Sequence, residues 1–121
     1  MELTPVGSGG RQLIERYGAG GFRVSGVVYA GPVLVFPDET AIWAEAAATV
    51  ESLAPVVSHG DVEILLLGLG RRMTALSPAL RVSLKASGIA VEAMDTGAAC
   101  RTYNLLIGEN RRVAAALLLP V

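Results

Sequence analysis

From residue 13 to residue 36 the chain alternates short apolar runs with glycine-rich breaks. Leu13 to Tyr17 can place successive side chains on opposite faces, Gly18-Ala19-Gly20-Gly21 tolerates positive φ, and Phe22-Arg23-Val24-Ser25 is polar at alternate positions. This pattern predicts a β-hairpin. Val27 to Ala30 and Val33 to Phe36 read as further strands separated by Gly31-Pro32, and Pro37-Asp38-Glu39-Thr40 closes the meander as a turn. The period then changes. Between Glu45 and Val57 the chain is rich in Ala, and Val50, Leu53, Ala54 and Val57 recur at helical spacing, which predicts a helix with one buried stripe. Pro55 cannot donate within it, so the helix either starts near Thr49 and kinks or breaks into two pieces.

Ser58-His59-Gly60-Asp61 reads as a turn, and Val62 to Leu67 ends in four consecutive apolar residues, as in a strand covered on both faces. It is the best candidate for the central strand. Gly68-Leu69-Gly70-Arg71-Arg72 ends it. Ser77-Pro78 then resembles a helix N-cap followed by Pro, with Leu80, Val82 and Leu84 on a short helix stopped by Gly88. Ile89 to Ala93 is another short strand, so strand, helix and strand imply a parallel crossover. Asp95 or Thr96 can cap a helix reaching about Ile107, with Ala98, Ala99, Thr102, Tyr103, Leu105 and Leu106 on its buried side. Val113 to Leu119 is a last apolar strand. The sum is a single α/β domain over residues 1–121, with a central sheet and an N-terminal β-layer.

Composition narrows the class. With 121 residues, 52% hydrophobic and 17% charged, the chain can bury roughly two-thirds of its unfolded surface in one core. Aromatics are only 5%, which argues against a large aromatic binding surface. Ten basic and eleven acidic residues leave a net charge of −1, so no global attraction to nucleic acid or anionic membranes is expected. One cysteine, Cys100, excludes an internal disulfide and a multi-cysteine zinc site. No transmembrane run is visible, and Met1 to Pro5 lacks the basic and apolar regions of a signal peptide, so a cytoplasmic location is expected.

Candidate chemistry is sparse. Gly68-Leu69-Gly70 after a buried strand resembles half of a phosphate-binding loop, but Met73 stands where the dinucleotide fingerprint needs Gly, and no Gly-Lys-Ser/Thr follows. His59 and Cys100 are far apart in sequence and too few for a transition-metal cluster; His59 reads as a solvated turn residue. No catalytic residue, cofactor or metal is implied. Arg71-Arg72 and Arg111-Arg112 would bind an anion only if they converged. The densest chemistry lies in Met94 to Asn104, where the plain reading is a capped, close-packed helix.

Three stretches carry a family resemblance. Ile64-Leu65-Leu66-Leu67-Gly68-Leu69-Gly70, the run from Val91 to Asn104 with its Thr96, Ala99, Thr102, Tyr103, Asn104 pattern, and Glu109 to Leu117 together resemble the Mth938-like (DUF498) family. That family includes mitochondrial NADH:ubiquinone oxidoreductase complex assembly factor 3. The resemblance implies a three-layer α/β domain with a central mixed sheet and an additional β-layer, and supplies no catalytic roles. It points to a non-enzymatic interaction protein that assists assembly of a respiratory complex I or another membrane-associated complex, with a protein partner and room for a homodimer. Lacking an Arg-rich amphipathic leader, the chain reads as a bacterial cytosolic member. The alternative is a small-molecule or anion-binding domain, or an enzyme. Gly68, Gly70 and Arg71 at the strand end would then face Asp95, Thr96 and Asn104, with Thr102 and Tyr103 beside them. A partner surface should be an exposed apolar patch, and a ligand site a pocket with convergent polar groups.

Overall fold

The computed structural model describes residues 10–71 and 75–121; Arg72 and Met73, noted above, lie outside the described residues. The hairpin forms as its alternation predicts, with β1 (Ile14–Gly18) antiparallel to β2 (Gly21–Val24). β3 (Val27–Tyr29) adds to β2, giving a three-stranded sheet in the order β1-β2-β3. Gly21 is required where it stands: its φ is +131°, and a Cβ there would collide with the Tyr29 carbonyl of the neighbouring strand.

The meander does not continue as one sheet. At Gly31-Pro32 the chain leaves for a second, five-stranded sheet, in which β4 (Val33–Val35) pairs with β5 (Thr40–Ile42). The Pro37 to Thr40 region is therefore a hairpin turn, closed by the Phe36 N–H donating to the Glu39 carbonyl at 2.7 Å. β5 is three residues long with Ala41 and Ile42 exposed, so it carries no alternation to read.

The helix expected over Glu45 to Val57 is a correction. Only Ala54–His59 is helical (α1), with Pro55 in the first turn, where a missing N–H costs nothing. The preceding residues form turns pinned by Ser52, whose hydroxyl donates to the Glu45 carbonyl and accepts from the Trp43 indole at 2.8 Å. These local bonds displace the helical ladder. The buried residues are Leu53 and Val56, whereas Val50 and Val57 face water.

β6 (Ile64–Gly68), α2 (Pro78–Ala86), β7 (Ala90–Met94), α3 (Thr96–Gly108) and β8 (Val113–Leu117) follow. The larger sheet has the order β5-β4-β8-β6-β7, parallel between β6 and both β7 and β8 and antiparallel around β4. β6 is interior as expected, but β8 takes the middle position. All five of its residues are buried, and its alanines let layers on both faces approach closely. Leu66, Ala115 and Leu117 pack with α3 and the three-stranded sheet, while Leu65, Leu67, Ala114 and Ala116 pack with residues of α1 and α2. This is the three-layer α/β arrangement with a central mixed sheet and an additional β-layer.

The phase of α3 differs from the sequence reading. Its buried side is Thr96, Gly97, Ala99, Cys100, Tyr103 and Ile107; Leu105 is exposed, and Ala98, Thr102 and Leu106 are half-buried. Three apolar residues in a row, Leu105 to Ile107, left the phase open. Contacts with two sheets select it. On α2, Leu80 and Leu84 are buried and Val82 is exposed.

Candidate functional site

Following β6 the chain moves through α2 to β7, then returns through α3 to β8 on the other side of β6, so the connection reverses direction between β6 and β8. In open α/β sheets, ligands bind at such a reversal, beyond the carboxyl ends of the strands. Here that point is formed by Gly68 at the end of β6 with Leu69 and Gly70 after it, the start of α3, and Leu118 to Val121 after β8. Asp95 caps α3, its carboxylate accepting from the Ala98 N–H at 2.9 Å. Thr96 is fully buried and joins all three segments. Its N–H donates to the Gly70 carbonyl at 2.8 Å, its hydroxyl accepts from the Gly70 N–H at 2.9 Å, and the same hydroxyl donates to the Leu118 carbonyl at 2.7 Å.

The loop and the helix start are thus brought together in direct contact, with Thr96 filling the interval. A Cβ on Gly68 would lie 2.9 Å from Leu117 Cδ2 and 3.1 Å from Thr96 Cα, so glycine serves the close approach of β6 to α3. Leu69 and Gly70 donate their N–H groups to Met94 and Thr96, groups that a phosphate would otherwise need. Arg71 is exposed beside them.

Tyr103 and Asn104 do not converge on this point. They sit seven and eight residues along α3, about 11 Å farther by helical rise, and they face β1. Asn104 accepts from the Ile14 N–H at 3.0 Å and donates to the Ile14 carbonyl at 2.8 Å, so its amide pairs with β1 as a neighbouring strand would. The Tyr103 hydroxyl donates to the Gln12 carbonyl at 3.1 Å, and burial pushes its pKa well above the usual tyrosine range. Gly97 makes room for Tyr17, whose hydroxyl accepts from Arg101 at 3.0 Å. Thr102 is half-buried on α3. The Met94 to Asn104 chemistry therefore ties α3 to both sheets.

The remaining candidates separate. Cys100 is buried against the three-stranded sheet, and its thiol is pushed up to about 12 by burial. His59 stands on the opposite face of the larger sheet, so the two form no nucleophile–base pair. Arg111 and Arg112 bond Glu63 and Asp61 just before β6, whereas Arg71 follows its end; among the described residues these basic groups do not converge. The bond from Arg111, then burial acting against it, then the bond from Arg112 leave the Glu63 carboxyl below its ordinary range.

One set of residues was missed by the sequence reading. His59 is not a solvated turn residue: it ends α1, its ring stacks on Phe36, and its side chain is only 18% exposed. Its Nε2 lies 2.8 Å from Asp38 Oδ1, and Glu39 is adjacent. Asp38 and His59 are twenty-one positions apart in sequence, and no motif in the intervening residues would have joined them.

Among the described residues, no helix is long and apolar enough to cross a membrane. Comparison with known proteins supplies the kinship. Residues 14–118 match the family model described as a protein of unknown function (DUF498/DUF598). An uncharacterised protein of Rhodobacter capsulatus is 39% identical over 120 residues, covering 98% of this chain and 93% of that protein. NADH dehydrogenase [ubiquinone] 1 alpha subcomplex assembly factor 3 of Danio rerio is 38% identical over 112 residues, covering 89% of this chain. The chain spans 64% of that relative's length. A Bordetella pertussis protein solved in solution and described as a Mth938-like domain superposes with a TM-score of 0.78 at 31% identity, covering 99% of this chain and 93% of that one. The chain therefore belongs to the Mth938-like DUF498 family, which also contains complex I assembly factors.

Proposed function

We propose that this protein is a non-enzymatic interaction protein that assists assembly of a respiratory complex of the NADH dehydrogenase type, acting from the cytoplasm through protein contacts. The kinship with assembly factor 3 carries this reading, because the shared 112 residues take in nearly all of the domain described above. The use of the side chains supports it. Thr96, Tyr103 and Asn104 are committed to backbone groups of the fold, and Gly68 is held by the approach of α3. The surface offers a place for a partner: β3 is an edge strand on which Val27 is 52% and Val28 73% exposed. Short apolar edges of this kind are covered when a partner adds to or packs on the sheet.

The test is capture of tagged full-length chain, with cross-linking in bacterial cells that make the NADH dehydrogenase complex. A subunit or assembly intermediate of that complex should be recovered, and Val28→Lys should reduce its yield several-fold without lowering the melting temperature. Recovery of no such subunit under several lysis conditions refutes the reading.

A further inference from the structure

The turn between β4 and β5 and the end of α1 place Asp38, Glu39 and His59 in one cluster, with one nitrogen or oxygen of each within 4.8 Å of the others. Two tight backbone features bring them there. The Phe36 N–H bond to the Glu39 carbonyl closes the turn that carries both carboxylates, and Gly60 at φ +76° with Asp61 at φ +57° turns the chain sharply after His59.

The imidazole is held as ligands to metals are held. Its ring stacks on Phe36 with centroids 3.9 Å apart and planes within 6°, so it has one orientation although it stands at a helix end on the surface. Nδ1 lies 3.0 Å from the Gly60 carbonyl oxygen, a group that only accepts, so Nδ1 carries a proton. That arrangement leaves Nε2 on the side of the two carboxylates, and a carbonyl on the far nitrogen is the usual means of fixing a metal-binding histidine. Nε2 in turn faces Asp38 Oδ1 at 2.8 Å, which also only accepts. An imidazole between two acceptors is satisfied by a proton on Nε2, which pairs it with Asp38, or by a metal cation in the proton's place; with two carboxylates beside it the proton leaves the cluster net negative, and a divalent ion would neutralise it.

From this geometry we propose that Asp38, Glu39 and His59 form a surface site for a divalent transition-metal ion. The donor set is one imidazole nitrogen and two carboxylate oxygens, which suits zinc, manganese or ferrous iron and disfavours soft, thiolate-seeking ions. The two kinds of ligand divide the work. The imidazole is fixed by packing, whereas Asp38 is 66% exposed and Glu39 exposed, so both carboxylates can rotate to close on the ion. Three protein ligands leave coordination positions open to water or to an oxygen or nitrogen donor of a partner. The site draws on residues of the turn after β4 and the end of α1, and stands independently of the assembly role.

The chain contains one histidine, so its ring signals report this site alone. Untagged full-length protein is titrated with Zn²⁺ by calorimetry at neutral pH in a non-chelating buffer, and with substoichiometric Mn²⁺ while the imidazole ¹H–¹³C signals are followed. The expected result is one equivalent of Zn²⁺ bound with micromolar Kd and selective broadening of the His59 signals by Mn²⁺. His59→Gln and Asp38→Asn should each weaken Zn²⁺ binding by about tenfold or more, while Glu92→Gln, an exposed carboxylate change on β7, should leave it unaltered. Glu39→Gln, on an exposed turn side chain, keeps the test valid if His59→Gln unfolds. Absence of binding, binding that the Asp38 and Glu39 variants do not weaken, or broadening that spares His59 overturns the proposal.

Discussion

Thr96→Val tests the account of the point where β6, α3 and the last residues of the chain meet. Valine matches threonine in shape and branching and has nearly the same helix propensity, so the change removes little except the hydroxyl. The hydroxyl accepts from Gly70 at 2.9 Å and donates to Leu118 at 2.7 Å, and Thr96 has no exposed surface. Its loss leaves the Gly70 N–H and the Leu118 carbonyl without that partner. Each buried group left unsatisfied costs about 1–3 kcal/mol, and Leu118 is partly accessible, so a total near 3 kcal/mol is expected. For a domain of this size that lowers Tm by about 12 °C, at roughly 4 °C per kcal/mol. Thr96→Ser is the necessary companion, because it keeps both hydrogen bonds and loses one methyl group, worth about 1 kcal/mol. Urea denaturation followed by far-UV circular dichroism, with equal slopes, gives both values. If valine costs no more than serine, the site is held by packing and the hydrogen-bond argument is wrong.

Three further outcomes follow from neighbouring contacts. Gly68→Ala should destabilise by about 1–3 kcal/mol through overpacking against Leu117 and the α3 backbone, and a urea midpoint within error of the parent would show that α3 yields freely. Asn104→Leu removes both bonds to Ile14, and native-state hydrogen exchange at the Ile14 amide should speed up about tenfold, corresponding to about 1.4 kcal/mol; unchanged protection there would refute the strand-like pairing. Cys100, with its thiol near 12 against an ordinary 9, should hold about a thousandfold less thiolate than a free cysteine. Ellman's reagent at pH 8 should therefore label it only at the rate of unfolding, and rapid labelling of native protein would contradict its burial.

The parts of the fold legible in the sequence are those whose own residues carry a repeat. Ile64 to Leu67 reads as a strand covered on two faces, Asp95 marks a helix start, and Gly18 to Gly21 marks a hairpin, because each pattern follows from local geometry. The resemblance through Thr96, Ala99, Thr102, Tyr103 and Asn104 was legible for the same reason: the residues lie together in the chain. The rule that ligands bind beyond the carboxyl ends of parallel strands set Gly70 opposite both Thr96 and Asn104; in the structure Gly70 is hydrogen-bonded to Thr96, whereas Asn104 pairs with Ile14, ninety residues away.

What the sequence by itself determined is an α/β fold with a parallel strand–helix–strand core, its turns and its caps. Tertiary structure alone decided which sheet β4 joins, which side of α3 is buried, where the helix before His59 begins, and that Asp38 and Glu39 meet His59. The physical reason is common to all four. Periodicity specifies that a residue is buried, but its partner is chosen by packing between distant segments, and strands of three residues or turns pinned by a single serine are too short to carry a period of their own.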